Sequence, residues 1–198
     1  MNYPIQNSND GFTIIELLIA IAIMGIIISA LFSFSIAQRK YFSVQTQISE
    51  MTQNTRAAMD MIGGELSMAG YRPSDATPVF FGIPYSTSQL QILAEFNADN
   101  DRDDTYENIT YTYDSSEKQI KRNTNTGGGN QTFSENIQSF TFEYLDAQGN
   151  PTSTTANIRQ IRLTITGRTS KPDHLYTTNS GYRTYTLTSL ITPRNLAY

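Results

Sequence analysis

Cysteine and tryptophan are absent from this 198-residue chain, and histidine occurs once. Without cysteine there is no thiol nucleophile, no disulfide and no thiolate metal centre, while the redox character of the compartment stays open. His174 stands in a Lys-Pro-Asp-His stretch with no second histidine for a metal pair and no nucleophile to serve, so it reads as a surface residue. Basic charge is not in excess either. Lys and Arg total 14 against 18 Asp and Glu, and a net charge of -4 offers no electrostatic footprint for DNA or RNA. No Gly-x-Ser-x-Gly element occurs, and Gly127-Gly128-Gly129 lacks the following Lys-Ser/Thr of a phosphate loop. With no catalytic constellation in view, the chain is expected not to be an enzyme. It is long enough to bury a core without metal or disulfide staples.

One absence is local. From Leu17 to Ala37 there is no Asp, Glu, Lys or Arg, and from Phe12 to Ala37 there is no proline. As a helix the charge-free run extends roughly 30 Å, the thickness of a bilayer's hydrocarbon core. A secretory signal peptide would have a basic start and a shorter apolar region, whereas MNYPIQNSND carries no Lys or Arg and the run is too long. Glu16 lies just inside the apolar segment. An unpaired carboxylate would cost about 2.5–3.5 kcal/mol at a bilayer centre, so a carboxylate there points to a role.

The residues Gly11-Phe12-Thr13-Ile14-Ile15-Glu16-Leu17-Leu18-Ile19-Ala20 resemble the type IV prepilin signature: a short polar leader ending in Gly, then Phe, then Glu as the fifth residue after the cut, then an unbroken apolar helix. The resemblance implies a prepilin peptidase that cuts between Gly11 and Phe12 and N-methylates Phe12. It also implies that Glu16 pairs with the amino terminus of a neighbouring subunit during filament assembly. Two features depart from the pattern. The leader has no basic residue, and Arg39 with Lys40 just past the span would by charge alone orient the chain the other way. The proline that often kinks the helix of major pilins is missing, which predicts a straighter helix.

Beyond the span, Tyr41, Val44, Ile48, Met51, Thr55, Ala58, Ile62, Leu66 and Ala69 recur at three-and-four spacing and mark one face of a continuing helix. Gly63-Gly64 is a soft point, and Gly70 followed by Tyr71-Arg72-Pro73 predicts a stop near Ala69. From residue 78 onward, short runs of Thr, Tyr, Phe and Ile are separated by Gly, Asn, Asp and Ser. Strands are predicted at Val79–Ile83, Gln89–Glu95, Asn108–Asp114, Gln119–Arg122, Ile137–Asp146, Ile158–Gly167 and Tyr182–Thr192, with mobile loops at Asn123–Thr132 and Thr169–Gly181. Alternation in Phe140, Phe142, Tyr144 and in Ile161, Leu163, Ile165 puts one apolar face inward. The predicted fold is α+β and pilin-like: a long N-terminal helix, transmembrane then amphipathic, packed on a mainly antiparallel β-sheet domain. Its expected divisions are a leader at 1–11, a filament-core helix at 12–37, an amphipathic continuation at 38–70 and a β-rich domain at 71–198.

The pieces Met68-Ala69-Gly70-Tyr71, Ile158-Arg159-Gln160-Ile161-Arg162-Leu163 and Pro193-Arg194-Asn195 also resemble PilW-like minor pilins and the related GspJ-like pseudopilins. That resemblance implies a minor pilin acting in pilus assembly initiation or at the tip, with other major and minor pilins as partners. Such a subunit waits in the bacterial inner membrane with its globular domain periplasmic before reaching the pilus at the cell surface. The alternatives are a pseudopilin of a type II secretion system and a membrane-anchored surface-binding protein.

One motif stands apart. Asn97-Ala98-Asp99-Asn100-Asp101-Arg102-Asp103-Asp104 places carboxylates at alternating positions, with Glu107 close behind. Asp99, Asp101, Asp103 and Glu107 are therefore candidate calcium ligands, since calcium needs several oxygens in a small space. An EF-hand is excluded: the glycine position is Asp104, and the position of the bidentate Glu is Thr110. The alternative is a solvated acidic turn, and no other cofactor is expected.

Overall fold

The computed structural model describes residues 11–73, 80–99 and 101–196. The chain divides into two compact units, Met1–Gln45 and Thr46–Tyr198. One helix, α1 (Ile14–Met68), enters both.

Within the first unit, α1 is a helix without a buried face. Every side chain from 14 to 37 is exposed, including Ile19, Ile23, Ile27, Leu31 and Phe34. The run has no proline, and two of its three serines turn their hydroxyls back onto the helix backbone. Ser29 Oγ donates to the Gly25 carbonyl at 2.8 Å and Ser33 Oγ to the Ser29 carbonyl at 3.0 Å, the usual way a hydroxyl is satisfied on an apolar helix. This helix is long and apolar enough to cross a membrane.

The second unit has the α+β plan expected from the sequence. From Met51 onward α1 buries one stripe, made by Met51, Thr55, Ala58, Met59, Ile62 and Leu66. Thr55 is tolerated there because its hydroxyl donates to the Met51 carbonyl at 2.7 Å. Of the predicted stripe, Tyr41 is exposed and Val44 and Ile48 are only half-buried, so the fully packed face begins about three turns later than the periodicity suggested. The glycine pair does not break the helix, which runs on to Met68.

Among the described residues seven strands form two antiparallel sheets. β1 (Gln89–Leu93), β2 (Asn108–Asp114), β3 (Gln119–Asn123) and β4 (Gln131–Ser134) make a four-stranded sheet in sequence order, and β5 (Ile137–Leu145), β6 (Gln160–Arg168) and β7 (Thr184–Ile191) make a three-stranded one. The Tyr113 hydroxyl ties them together by donating to the carbonyls of Ile137 (2.9 Å) and Gln138 (2.6 Å). A single core joins Ile62 and Leu66 of the helix to Leu90, Ile109 and Ile120 of one sheet and Ile161, Leu163 and Ile165 of the other. The alternation in β6 is as predicted, and in β5 Phe140 and Tyr144 are buried with the half-buried Phe142 packed against the same core; a register shift between Ile137 and Ser139 precedes them.

Several expectations are corrected. The predicted strand at Val79–Ile83 is not one over its described residues; Val79 lies outside them. The chain bends at Gly82 and Ile83 because Gly82 lies directly on the end of the helix: a Cβ there would stand 2.1 Å from the Gly70 nitrogen. Gly70 itself takes φ +76, the left-handed conformation that ends helices, with the Tyr71 N–H returning to the Met68 carbonyl at 2.9 Å. β4 falls partly inside a predicted loop. The loop at 169–181 is tied down rather than loose: Arg183 binds Asp173 through Nη2 at 2.8 Å and Nε at 3.2 Å, and the Lys171 N–H donates to Gln47 at 2.9 Å.

A charged contact inside this unit escaped the sequence reading. Glu65, on the flank of the helical stripe, accepts from Arg122 Nη2 (2.5 Å) and from the Tyr111 hydroxyl (2.5 Å). Burial, followed by the Glu65 carboxylate, pushes the Tyr111 phenol well above its ordinary range.

Candidate functional site

At the start of α1, Gly11 and Phe12 are non-helical and exposed, Phe12 at 92 %. A Cβ on Gly11 would meet no atom within 4 Å, so no close contact among the described residues requires glycine at that position. Glu16 does not reach into empty surroundings. Its Oε2 accepts from the Thr13 N–H at 2.8 Å and from the Thr13 hydroxyl at 2.9 Å, while the Glu16 N–H donates to Thr13 Oγ1 at 3.3 Å. This is a capping box, Thr-x-x-Glu, in which two open ends of the helix satisfy each other. The spacing is visible in the sequence, and Thr13 is a functional candidate that reading overlooked. The carboxylate also sits in the first turn, where the helix dipole favours negative charge.

The second candidate is the acidic segment between β1 and β2. Asp99, Asp101, Asp104 and Glu107 each bring one carboxylate oxygen to a common place, all within 4.8 Å of one another. Three of the four expected ligands are thus gathered, and Asp104 stands where Asp103 was expected. The reason is local. Asn97 Nδ2 donates to Asp99 Oδ2 at 2.8 Å and to Asp104 Oδ2 at 2.6 Å, folding 104 inward. The Asp103 N–H donates to Asp101 at 3.1 Å, and its carbonyl accepts from Asn125. Left-handed backbone at Ala98 (φ 65) and Tyr106 (φ 71) turns the chain at each end of the segment.

Two carboxylates root this segment in the core. Glu95 and Glu107 are each 1 % exposed. Glu95 Oε1 accepts from the Ala98 N–H at 2.9 Å and Glu107 Oε1 from the Phe96 N–H at 2.6 Å, but the Oε2 of each has no hydrogen-bond partner among the described residues. Burial raises the Glu107 carboxyl above its usual range; the Phe96 N–H opposes this, and the neighbouring charges of Glu95, Asp104 and Asp99 add to it. Arg102 does not enter the cluster and lies over the Phe80 ring, 4.8 Å from its centre. His174 is exposed, as expected.

Residues 6–32 match the family described as the prokaryotic N-terminal methylation motif. No curated protein matches the chain. Among solved structures, a type IV-like pilin from Thermus thermophilus is similar at 12% identity with a TM-score of 0.48, over 74% of this chain and 98% of that one, a likeness too remote to carry an argument.

Proposed function

We propose that this chain is a prepilin of the type IV pilus class, cut between Gly11 and Phe12, N-methylated on Phe12 and assembled through its N-terminal helix as a minor pilin. The observation that carries the reading is the methylation motif over residues 6–32, which spans the scissile pair, Glu16 and the start of the charge-free helix. Two features of the molecule support it. The glycine before the cut has no close neighbour among the described residues, which fits a requirement imposed by a peptidase that must approach the backbone closely. The first half of α1 exposes apolar side chains on all sides, which fits lipid first and neighbouring helices afterwards. Residues 1–11 are then the leader, 12–37 the span, 38–70 the continuation of the helix and 71–198 the globular domain, which stands in the periplasm before it joins the filament. The PilW-like group is the member class favoured by the Met68-Ala69-Gly70-Tyr71 helix end. The protein acts as a structural subunit, with prepilin peptidase and other pilins as its partners.

Mass spectrometry of the mature amino terminus tests the cut. Methylated Phe12 is expected, and an intact Met1 on the membrane-inserted protein overturns the reading. Glu16 has two separable tasks, capping its own helix and offering a charge to a neighbour. Gln serves in a capping box as Glu does. Glu16→Gln is therefore expected to be processed and to keep the helix start, yet to be depleted from sheared filaments as strongly as Glu16→Ala. Wild-type recruitment of the Gln variant would leave only the capping task.

A further inference from the structure

We infer that the segment between β1 and β2 is a calcium site formed by Asp99, Asp101, Asp104 and Glu107, a function separate from the filament reading. Four carboxylate oxygens converge within 4.8 Å. Acidic residues on a surface often do so with no ion, and three of these are exposed. Glu107 is different: it is 1 % exposed, contributes to the same group, and keeps one oxygen without a partner among the described residues. Glu95, equally buried, also has a bare Oε2. Burying a carboxylate with an open lone pair is costly unless a cation or a proton meets it. No protein cation among the described residues forms an ion pair with either group. The ion pairs among the described residues use Asp114, Glu117, Glu65, Glu143 and Asp173, and Arg102 is on the Phe80 ring.

The chemistry of the group selects the ion. All the donors are carboxylate oxygens, with no histidine or cysteine, which suits hard cations rather than zinc or copper. Calcium binds oxygen at 2.3–2.6 Å, so ligands on opposite sides of it lie about 4.6–5.2 Å apart; for magnesium the corresponding span is about 4.0–4.2 Å. The four oxygens lie within 4.8 Å of one another, a spread that the ligand shell of calcium accommodates. Four ligands leave coordination positions for water and backbone carbonyls, the usual company of calcium in a loop.

The test uses the full-length chain in detergent micelles and calcium chloride as the probe. Calorimetric titration is expected to give one saturable site. Thermal melting is expected to rise in calcium relative to chelator, by an amount equivalent to about a hundredfold shift toward the folded state when free calcium reaches about a hundred times its dissociation constant. Magnesium at the same concentration is expected to give a smaller rise. Asp101→Asn, an exposed change, should weaken binding without lowering the melting temperature in chelator. Glu107→Gln should abolish the calcium-dependent rise, yet melt no lower than wild type in chelator, because it removes an unpartnered buried charge. Identical melting of the wild type in calcium and in chelator would overturn the inference. An equal response to magnesium, or an Asp101→Asn chain that keeps the full gain, would overturn it too.

Discussion

The two halves of α1 are made of the same kind of helix and solve opposite problems. From residue 17 to 37 the side chains are uncharged, mostly apolar and all exposed, whereas from Met51 to Leu66 a single stripe is buried and most of the rest is polar. Helix geometry is common to both, so the difference lies in where the packing partners reside. The second half finds them in its own chain, in Leu163, Ile165 and Ile120. The first half has no buried face among the described residues, and on the proposed function it packs against lipid and then other copies of such a helix. Stability of the isolated protein should therefore respond to substitutions in one half and ignore them in the other.

The largest expected effect comes from one deletion made in both halves. Leu66→Ala, at a fully buried position, is expected to destabilise the Thr46–Tyr198 unit by about 2–5 kcal/mol. Leu18→Ala removes the same atoms from a side chain that is 61 % exposed and should leave that unit's urea midpoint in detergent unchanged. Equal losses would break the contrast.

Alkaline pH sharpens it next. Burial pushes the Tyr144 phenol up to about 12, and Tyr111 moves the same way. Below about pH 10 the phenols are neutral in folded and unfolded chains alike, so the full stability is present. Above that value the unfolded chain releases protons that the folded chain retains. Stability should then fall by about 1.4 kcal/mol per pH unit for each such tyrosine, up to about pH 12 for Tyr144. Tyr144→Phe should remove one share of that slope in urea melts. Residues 11–40 hold no tyrosine, so their helical circular dichroism should not follow the loss.

The smallest effects come from paired glycine changes. A Cβ on Gly167 would stand 2.1 Å from Thr55 Oγ1, and Gly167→Ala should lower stability by about 1–3 kcal/mol because helix and β6 would have to separate. Gly25 has nothing within 4 Å, so Gly25→Ala should only favour the helix, by up to about 1 kcal/mol, seen as a slight rise in helical signal.

What the sequence could convey follows from the range of each signal. The helix stop at Gly70 and β2 at Asn108–Asp114 depend on neighbours within a few residues and were legible to within one position. β4 offers four residues and one large apolar side chain, Phe133, after a glycine run, too little for a periodicity to declare itself. The bend at Gly82 and the Glu65–Arg122 contact depend on segments far apart in the chain, and no local pattern encodes them. The acidic segment lies between these cases. Its composition announced a cluster, but whether residue 103 or 104 turns inward is decided by the Asn97 amide and two left-handed residues, Ala98 and Tyr106, neither of them a glycine that would have advertised the turn.

The capping box at the start of α1 bears on what happens when a peptide bond upstream of it is broken. Its three bonds all run between Thr13 and Glu16. Severing Gly11 from Phe12 takes away none of these donors or acceptors, so the helix keeps its own end and does not have to be rebuilt after the cut. On the proposed function, residues 1–11 would be shed from a helix whose start is already made, with no rebuilding of that end after hydrolysis.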